Sequence, residues 1–378
     1  MDSTSFQNRF FYNWWRSIDR KIFITTIFLI LVGCIVSFGA TPSIAIKYGL
    51  EPYYFVKKQF IFAPLAFFFI FFISLFSRVG IKRIFLFIFL ISIFFIFYSY
   101  FIGIESKGSI RWVYFFGYSF QPSEFLKVSF IIICAWIFSS KNQLKVINNQ
   151  IFSFILYLFV SGLILYQPDF SMFIIISSVY FGQLFINGLK WKWVIACSFF
   201  FSFVFFVTYF LLSNVKIRID NFFDPSTGDN YQISKSLQAI KEGGLFGKGT
   251  GMGTVKDNLP DAHTDFIFSV IAEEFGLISC LFVIIFFIYL IFKIYKRVKN
   301  EKYLFVILSV SGLVIQLGSQ IFVNIGSTIG LIPTTGTTLP FISYGGSSMI
   351  SMALNIGVIL ALTKVNYKDN IASNEKEF

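Results

Sequence analysis

The sequence predicts an all-α multi-pass membrane protein with about ten transmembrane helices, and three observations carry that reading. Of its 378 residues 56% are hydrophobic, with a mean hydropathy of +0.75, well above a soluble domain. Uncharged runs of about 20 residues, enough to cross roughly 30 Å of hydrocarbon, recur along the chain. Lys and Arg fall in short stretches between those runs rather than on one basic face. The 56 phenylalanines raise hydropathy everywhere, so one Phe inside a span carries little information.

The first 21 residues, MDSTSFQNRFFYNWWRSIDRK, hold Phe10, Phe11, Trp14 and Trp15 beside Arg9, Arg16, Arg20 and Lys21. This mixture suits an interfacial segment on the inner face of the membrane. The first apolar run has no small-residue cleavage site before or within it and is read as an uncleaved span. Spans are expected at 22–40, 59–76, 84–102, 122–138, 151–166, 171–187, 191–212, 264–292, 303–324 and 347–363. The fifth and sixth are short and meet at Gln167-Pro168-Asp169, where proline punctuates the turn. The membrane domain thus runs from 22 to 363, with a large outer loop at 213–263 and a cytoplasmic tail at 364–378. No repeat of 20–50 residues and no attached soluble domain is visible.

Ten spans place both termini on one side. The loops there carry Arg78, Lys82 and Arg83, then Lys141 and Lys145, Lys190 and Lys192, and finally Lys293, Lys296, Arg297, Lys299 and Lys302. By the positive-inside rule that side is the cytoplasm. Every Asp or Glu between Asp19 and Glu301 falls in an outer loop or near the outer end of a span, so chemistry is expected at the outer face. The formal charge of +12 is therefore read as setting orientation, and no nucleic-acid module accompanies it. Cys34, Cys134, Cys197 and Cys280 lie inside apolar segments without a CxxC pair, which argues against structural zinc and a disulfide framework.

Three outer segments are polar. Gly103–Lys127, GIESKGSIRWVYFFGYSFQPSEFLK, puts Arg111 and Trp112 in a loop and Lys127 about one turn inside the next helix, which Pro122 is placed to start. Within 213–265, Tyr231–Ala239 has the pattern of an amphipathic helix lying on the membrane or covering a cleft. Gly326–Ser348 is glycine- and proline-rich and contains Ser343, a candidate substrate contact. Such irregular backbone at membrane depth is tolerated only where protein buries it or it lines a cavity.

The densest polar stretch, LPDAHTDFIFSVIAEEFG (Leu259–Gly276), sets Asp261, His263, Asp265, Glu273 and Glu274 at the mouth of the eighth span. Ionisable residues there cost roughly 2.5–3.5 kcal/mol on insertion scales and are read as functional. A helix start capped by Thr264, with acids favoured by the dipole, would explain one or two of them. Asp265 is the candidate base. Glu273 would lie two turns deeper, roughly 12 Å along the axis, too far to share a proton. Arg111 and Lys127 suit a diphosphate, although Glu124, three residues from Lys127, equally permits a plain intrahelical ion pair. His263, the one histidine, is either a substrate contact or a satisfied polar residue at the helix start. GGLFGKGTG (Gly243–Gly251) fails the phosphate-loop pattern, since Glu242 stands at the first glycine position and Gly249 follows Lys248; it reads as a flexible glycine loop.

Taken together, GIESKGSIRW, QPSEFLK, QPD, YQISKSLQAIKEGGLFGKGTG, LPDAHTDFIFSVIAEEFG and PTTGTTLPFISYGGSS resemble, in order and placement, the SEDS family of bacterial cell-wall polymerases. The likeness covers nearly the whole chain, and the YQISKSLQAIKEGG and TTLPFISYGGSSM stretches look more like its division branch than its elongation branch. It implies a ten-span glycosyltransferase of the cytoplasmic membrane, polymerising lipid II into nascent glycan at the outer face. The partners it implies are a class B penicillin-binding protein and other divisome proteins at the septum. It also implies that Asp265 is the essential aspartate and that Arg111 and Trp112 are the RW pair; Lys127, Glu124, His263 and Ser343 are further candidate substrate contacts of this sequence. The sequence establishes no cofactor and leaves open a divalent cation, Mg or Mn, at the diphosphate. Two departures stand out: Lys107 replaces the asparagine before the Gly-Ser of the RW motif, and Ser171 replaces the glycine after QPD-x. Transport of the same lipid, or a non-enzymatic scaffold, are the competing classes. One-sided charge and the lack of a repeat weigh against transport.

Overall fold

The structure, a computed structural model, describes residues 11–102, 104–106, 109–115, 118–140, 146–189 and 231–364, with isolated helical positions between 195 and 220. Its helices are α1 (Arg20–Ala40), α2 (Pro42–Lys47), α3 (Tyr54–Ser74), α4 (Arg78–Ile102), α5 (Pro122–Ser139), α6 (Val146–Tyr166), α7 (Phe170–Ile186), α8 (Tyr231–Gly243), α9 (Ile267–Val298), α10 (Leu304–Thr328) and α11 (Gly346–Leu362). Among the described residues seven are long and apolar enough to cross a membrane, and α7 and α11 are shorter apolar helices. These nine coincide with nine of the expected spans. The seventh expected span, 191–212, lies almost wholly outside the described residues, as does the tail from 365.

Local chemistry sets the boundaries. Asp19 caps α1, its Oδ1 accepting from the amides of Lys21 (3.0 Å) and Ile22 (3.4 Å). Pro42 and Pro122 open α2 and α5, where a missing N–H costs nothing. Helices α3 and α4 begin five and six residues before the hydropathy edge, because Lys57, Lys58, Lys82 and Arg83 are helical yet count against a span. Long basic side chains carry their charge toward water while their stems stay apolar. Helix α11 lies along α3, and a Cβ on Gly357 would fall 2.8 Å from that of Ile73.

The outer connection after α4 is not plain loop. Strands β1 (Ile104–Ser106), β2 (Ser109–Phe115) and β3 (Tyr118–Phe120) form an antiparallel sheet in the order β1-β2-β3, pairing Ile104 with Trp112 and Val113 with Phe120. The fold is therefore all-α in its membrane layer with a small β cap outside it.

Helix α9 is discontinuous. At Gly276 the backbone leaves helical geometry (φ 81°, ψ 171°), separating a short helix, residues 267–275, from the spanning segment below. The groups freed by the break are paired by the glycine loop. Lys248 and Gly249 donate their amides to Glu273 O and Glu274 O (2.9 Å each), and the amides of Leu277 and Ile278 donate to Gly244 O (2.9 Å) and Leu245 O (3.3 Å). Backbones this close exclude side chains: a Cβ on Gly247 would lie 2.2 Å from Glu274 O, and one on Gly276 2.2 Å from Leu245 O. The loop expected to be flexible is thus a splice inside α9, a correction that follows from the demand that every backbone group near the bilayer be paired.

The acids of that stretch divide accordingly. Glu273, fully buried, accepts from the amides of Thr254 and Val255 (2.8 Å each) and Lys256 (2.9 Å). Glu274 accepts from the amide of Gly251 (3.0 Å) and pairs with Lys256, whose Nζ also donates to Gly39 O of α1 (2.7 Å). Both acids hold the splice in place.

Candidate active site

The cavity that gathers the polar residues has a volume of about 440 Å³ and opens among α3, the β cap, α5, α7, α8, the 261–266 turn, α10 and the 334–348 segment. Arg111, Trp112, Glu124, Lys127, His263 and Asp265 all line it, so the structure brings together six of the seven residues expected from sequence. Ser343 does not line it. Its hydroxyl, 4% exposed with its residue, donates to Thr264 O (2.5 Å) and accepts from the amide of Leu339 (2.8 Å), so it ties two loops together behind the cavity wall. That corrects the expectation of a substrate contact.

Asp265 is half-buried in a turn that precedes α9. Its amide donates to Asp261 O (3.0 Å), and Asp261 has the positive φ, 55°, that closes the turn. Thr264 is not the cap the alternative reading requires. Its hydroxyl donates to Asp261 O (3.2 Å), the N-cap position is Phe266, and no side chain caps the helix. Glu273 and Glu274 are outside the cavity lining, which leaves Asp265 and Asp261 as the acids of the original stretch that face it.

The cations arrive paired. Lys127, 1% exposed, lies 2.7 Å from Glu124 Oε2 and donates to Gln320 Oε1 (2.8 Å), while Ser351 donates to the same Glu124 oxygen (2.8 Å). The intrahelical pair that sequence spacing allowed therefore exists, and both its members also border the cavity. Arg111 Nη1 donates to Asp169 Oδ2 (2.9 Å), and Asp169 Oδ1 accepts from the amide of Met172 to cap α7. Ser171 does not disturb the turn; its hydroxyl donates to Thr335 O (2.5 Å) and fastens α7 to the 334–338 segment.

Lys58, Arg111 and Lys127 face Glu124, Asp169, Asp261 and Asp265 across the lining, so fixed charge alone does not favour an anion. Helix ends supply the rest. Helices α5, α9 and α11 all point N-termini at the cavity, through Gln121, Phe266 and Gly345, and none carries a side-chain cap. Each such end acts as roughly half a positive charge. His263, buried, completes a three-ring cluster with Phe55 and Tyr344, whose ring centroids lie 5.1 and 5.6 Å from its own and 5.0 Å from each other. Burial pushes the Tyr344 hydroxyl above the usual phenol range, so it stays protonated beside the site.

Among the described residues no three His, Cys, Asp or Glu side chains converge as a metal-ligand set.

The reading from sequence passed over Asp169, Gln320 and Asn324. Asp169 was in view within QPD but was treated as turn punctuation. Gln316, Gln320 and Asn324 recur every four residues in an otherwise apolar span, a polar stripe at helical spacing that is legible without a structure.

Comparison with known proteins adds the context. The sequence model of the FtsW, RodA and SpoVE family, described as cell cycle protein, matches residues 19–368. The chain is 35% identical to a probable peptidoglycan glycosyltransferase FtsW from Caulobacter vibrioides over 93% of its own length and 90% of that protein's. It is 31% identical to the Haemophilus influenzae protein of the same description, over 92% and 91%. Its fold is similar to a chain of a solved peptidoglycan synthase complex that coordinates polymerization and crosslinking, with a TM-score of 0.74, and to the crystal structure of Thermus thermophilus rod shape determining protein RodA, at 0.67. Each is 22% identical over 92% of this chain and 97% of the other.

Proposed function

The chain belongs to the FtsW, RodA and SpoVE family of cell cycle proteins, and from that premise we propose that it polymerises lipid II into glycan strands at the outer face of the cytoplasmic membrane, for septal wall synthesis. The observation that carries this reading is the cavity that sets half-buried Asp265 among Arg111, Trp112, Lys127 and three uncapped helix N-termini.

In the proposed reaction Asp265 takes the proton of the acceptor sugar's 4-hydroxyl as that oxygen bonds to the anomeric carbon of the growing chain's terminal sugar. The anomeric carbon–oxygen bond to undecaprenyl diphosphate breaks, and the diphosphate leaves with the electron pair. Its developing charge meets the helix N-termini and the cationic groups of Arg111 and Lys127. Trp112 offers an apolar ring face and one N–H to a sugar. The product strand would pass to a crosslinking partner, a class B penicillin-binding protein, with the termini and the basic loops in the cytoplasm.

Purified protein with fluorescent lipid II tests the chemistry. Asp265→Asn should bind substrate within about threefold of wild type and lose at least about a hundredfold in polymer formation. Normal polymerisation by that variant would end the assignment. A tagged copy in dividing cells separates the septal role, read as mid-cell enrichment, from the elongation alternative, read along the lateral wall.

One feature favours a second reading, transport: α9 is discontinuous, as transporter helices at substrate sites often are. Here the broken backbone is paired with the glycine loop instead of facing a path. Scrambling of lipid II in vesicles by Asp265→Asn, without polymer, would favour transport.

A further inference from the structure

Asn324 touches no substrate in the reaction above, yet it joins the two backbone segments on which that reaction depends. It lies in the last turn and a half of α10 and is fully buried. Its Nδ2 donates to Asp265 O (2.8 Å) and to Thr337 O (2.6 Å). Both partners are carbonyls, so the amide orientation is unambiguous: only the nitrogen can face them. One turn deeper Gln320, 1% exposed, repeats the arrangement. Its Oε1 accepts from Lys127 and its Nε2 donates to Thr338 O (3.0 Å) and Thr338 Oγ1 (3.3 Å).

Two amides four residues apart therefore bind adjacent carbonyls of one cavity wall, Thr337 and Thr338, and each also binds a charged residue of the site, Asn324 through the same nitrogen and Gln320 through its oxygen. The wall is close to the base itself: a Cβ on Gly336 would lie 3.7 Å from Asp265 Oδ2. The spacing along α10 thus sets the distance between the Asp265 turn and the Lys127–Glu124 pair.

We propose that Asn324 is a positioning residue for the transfer reaction, holding the Asp265 backbone against the 337–338 wall so that the carboxylate meets the acceptor hydroxyl, with Gln320 as the matching clamp on Lys127. This rests on Asp265 acting as base. Its effect falls on geometry in the transition state, so it belongs to kcat rather than to substrate binding, and displacements of about 1 Å are enough to cost a hundredfold.

The test uses the full-length protein in proteoliposomes with fluorescent lipid II. Asn324→Leu keeps the approximate shape and removes both donors; it should lower kcat at least about tenfold with KM within about threefold. Asn324→His, which returns one N–H donor, should recover part of kcat. Wild-type kcat in Asn324→Leu overturns the proposal, as does an equal loss in both variants that tracks their folded fraction. If neither variant folds, Asn324 holds the fold rather than the base, and the assignment also falls. Asp265→Asn run alongside separates the two levels: if it is inactive while Asn324→Leu is normal, only this inference fails, and if it polymerises, the reading of the site fails first.

Discussion

Arg111 and Asp169 hold the β cap against the start of α7, and each depends on the other. Asp169 is 5% exposed, and its charge is offset by the 2.9 Å contact with Arg111 and the amide of Met172. Removing one member of such a pair leaves the other charge poorly solvated, at a cost of about 3 kcal/mol. Arg111→Ala should therefore lower the melting temperature in detergent as well as the polymer yield. Arg111→Lys should melt closer to wild type while still losing yield, because an ammonium restores charge without the planar fork of donors. Unchanged melting in Arg111→Ala would mean that the pair does not anchor the cap. Sequence pointed to Arg111 because a charge beside a membrane demands a reason. It did not reveal the partner, since 58 residues separate the two and only the meeting of the cap with the α6–α7 turn brings them together.

At the level of elements the decisive feature is the spliced α9. A hydropathy profile finds the span because the apolar run continues through Gly276, and it cannot register that the helix stops and restarts there. The glycines of Gly243–Gly251 were visible too, but flexibility and close backbone approach demand the same residue, and only the hydrogen bonds to Glu273 O and Glu274 O decide between them. The two uses predict different tolerance. Gly247→Ala and Gly276→Ala combine positive φ with a 2.2 Å collision and should each cost well over about 2 kcal/mol, the usual left-handed penalty plus a forced shift. Gly251→Ala, at φ 79° with open space around it, should cost only about 1–2 kcal/mol. Equal melting losses for Gly247→Ala and Gly251→Ala would mean the splice is not rigid.

The junction of α8 with the glycine loop has a pH signature. Lys248 holds the Glu242 carboxyl below its ordinary 4.5, with Gln238 assisting, and Glu242 holds the Lys248 ammonium above its ordinary 10.5. The contact therefore contributes fully between about pH 4.5 and 10.5 and fades in acid as Glu242 protonates through its lowered value, or in base as Lys248 loses its proton. The melting difference between wild type and Glu242→Gln should shrink below pH 4.5. A gap that persists in acid would trace the effect to shape rather than charge.

Across the whole molecule the ends of the helices fall into two groups. At one end Arg297 approaches Asp19 and Arg78 approaches Glu301 (3.9 Å each), which joins the starts of α1, α4 and α10 to the finish of α9. At the other, Lys256 ties Glu274 of α9 to the end of α1, and the cavity opens nearby. The 329–345 segment reaches back into the helical layer from that second end. A Cβ on Gly33 would lie 2.5 Å from Phe341 O, seven residues or roughly 10 Å below the finish of α1. This two-ended arrangement was readable from charge, because every Asp or Glu between Asp19 and Glu301 gathers at one end while the short loops at the other carry Lys and Arg; the depth of the inward segment was not, since it depends on a glycine in a different helix. The arrangement makes one demand of the cell. Met252, 70% exposed beside the cavity end, and Asn300, exposed at the basic end, must lie on opposite faces of the membrane. In intact cells a membrane-impermeant maleimide should label Met252→Cys and leave Asn300→Cys untouched until the membrane is opened, with the unsubstituted protein as control for its own thiols. Labelling of Asn300→Cys alone would put Asp265 on the side where the proposed acceptor and leaving group are not, and no rearrangement of side chains within the cavity could restore the chemistry.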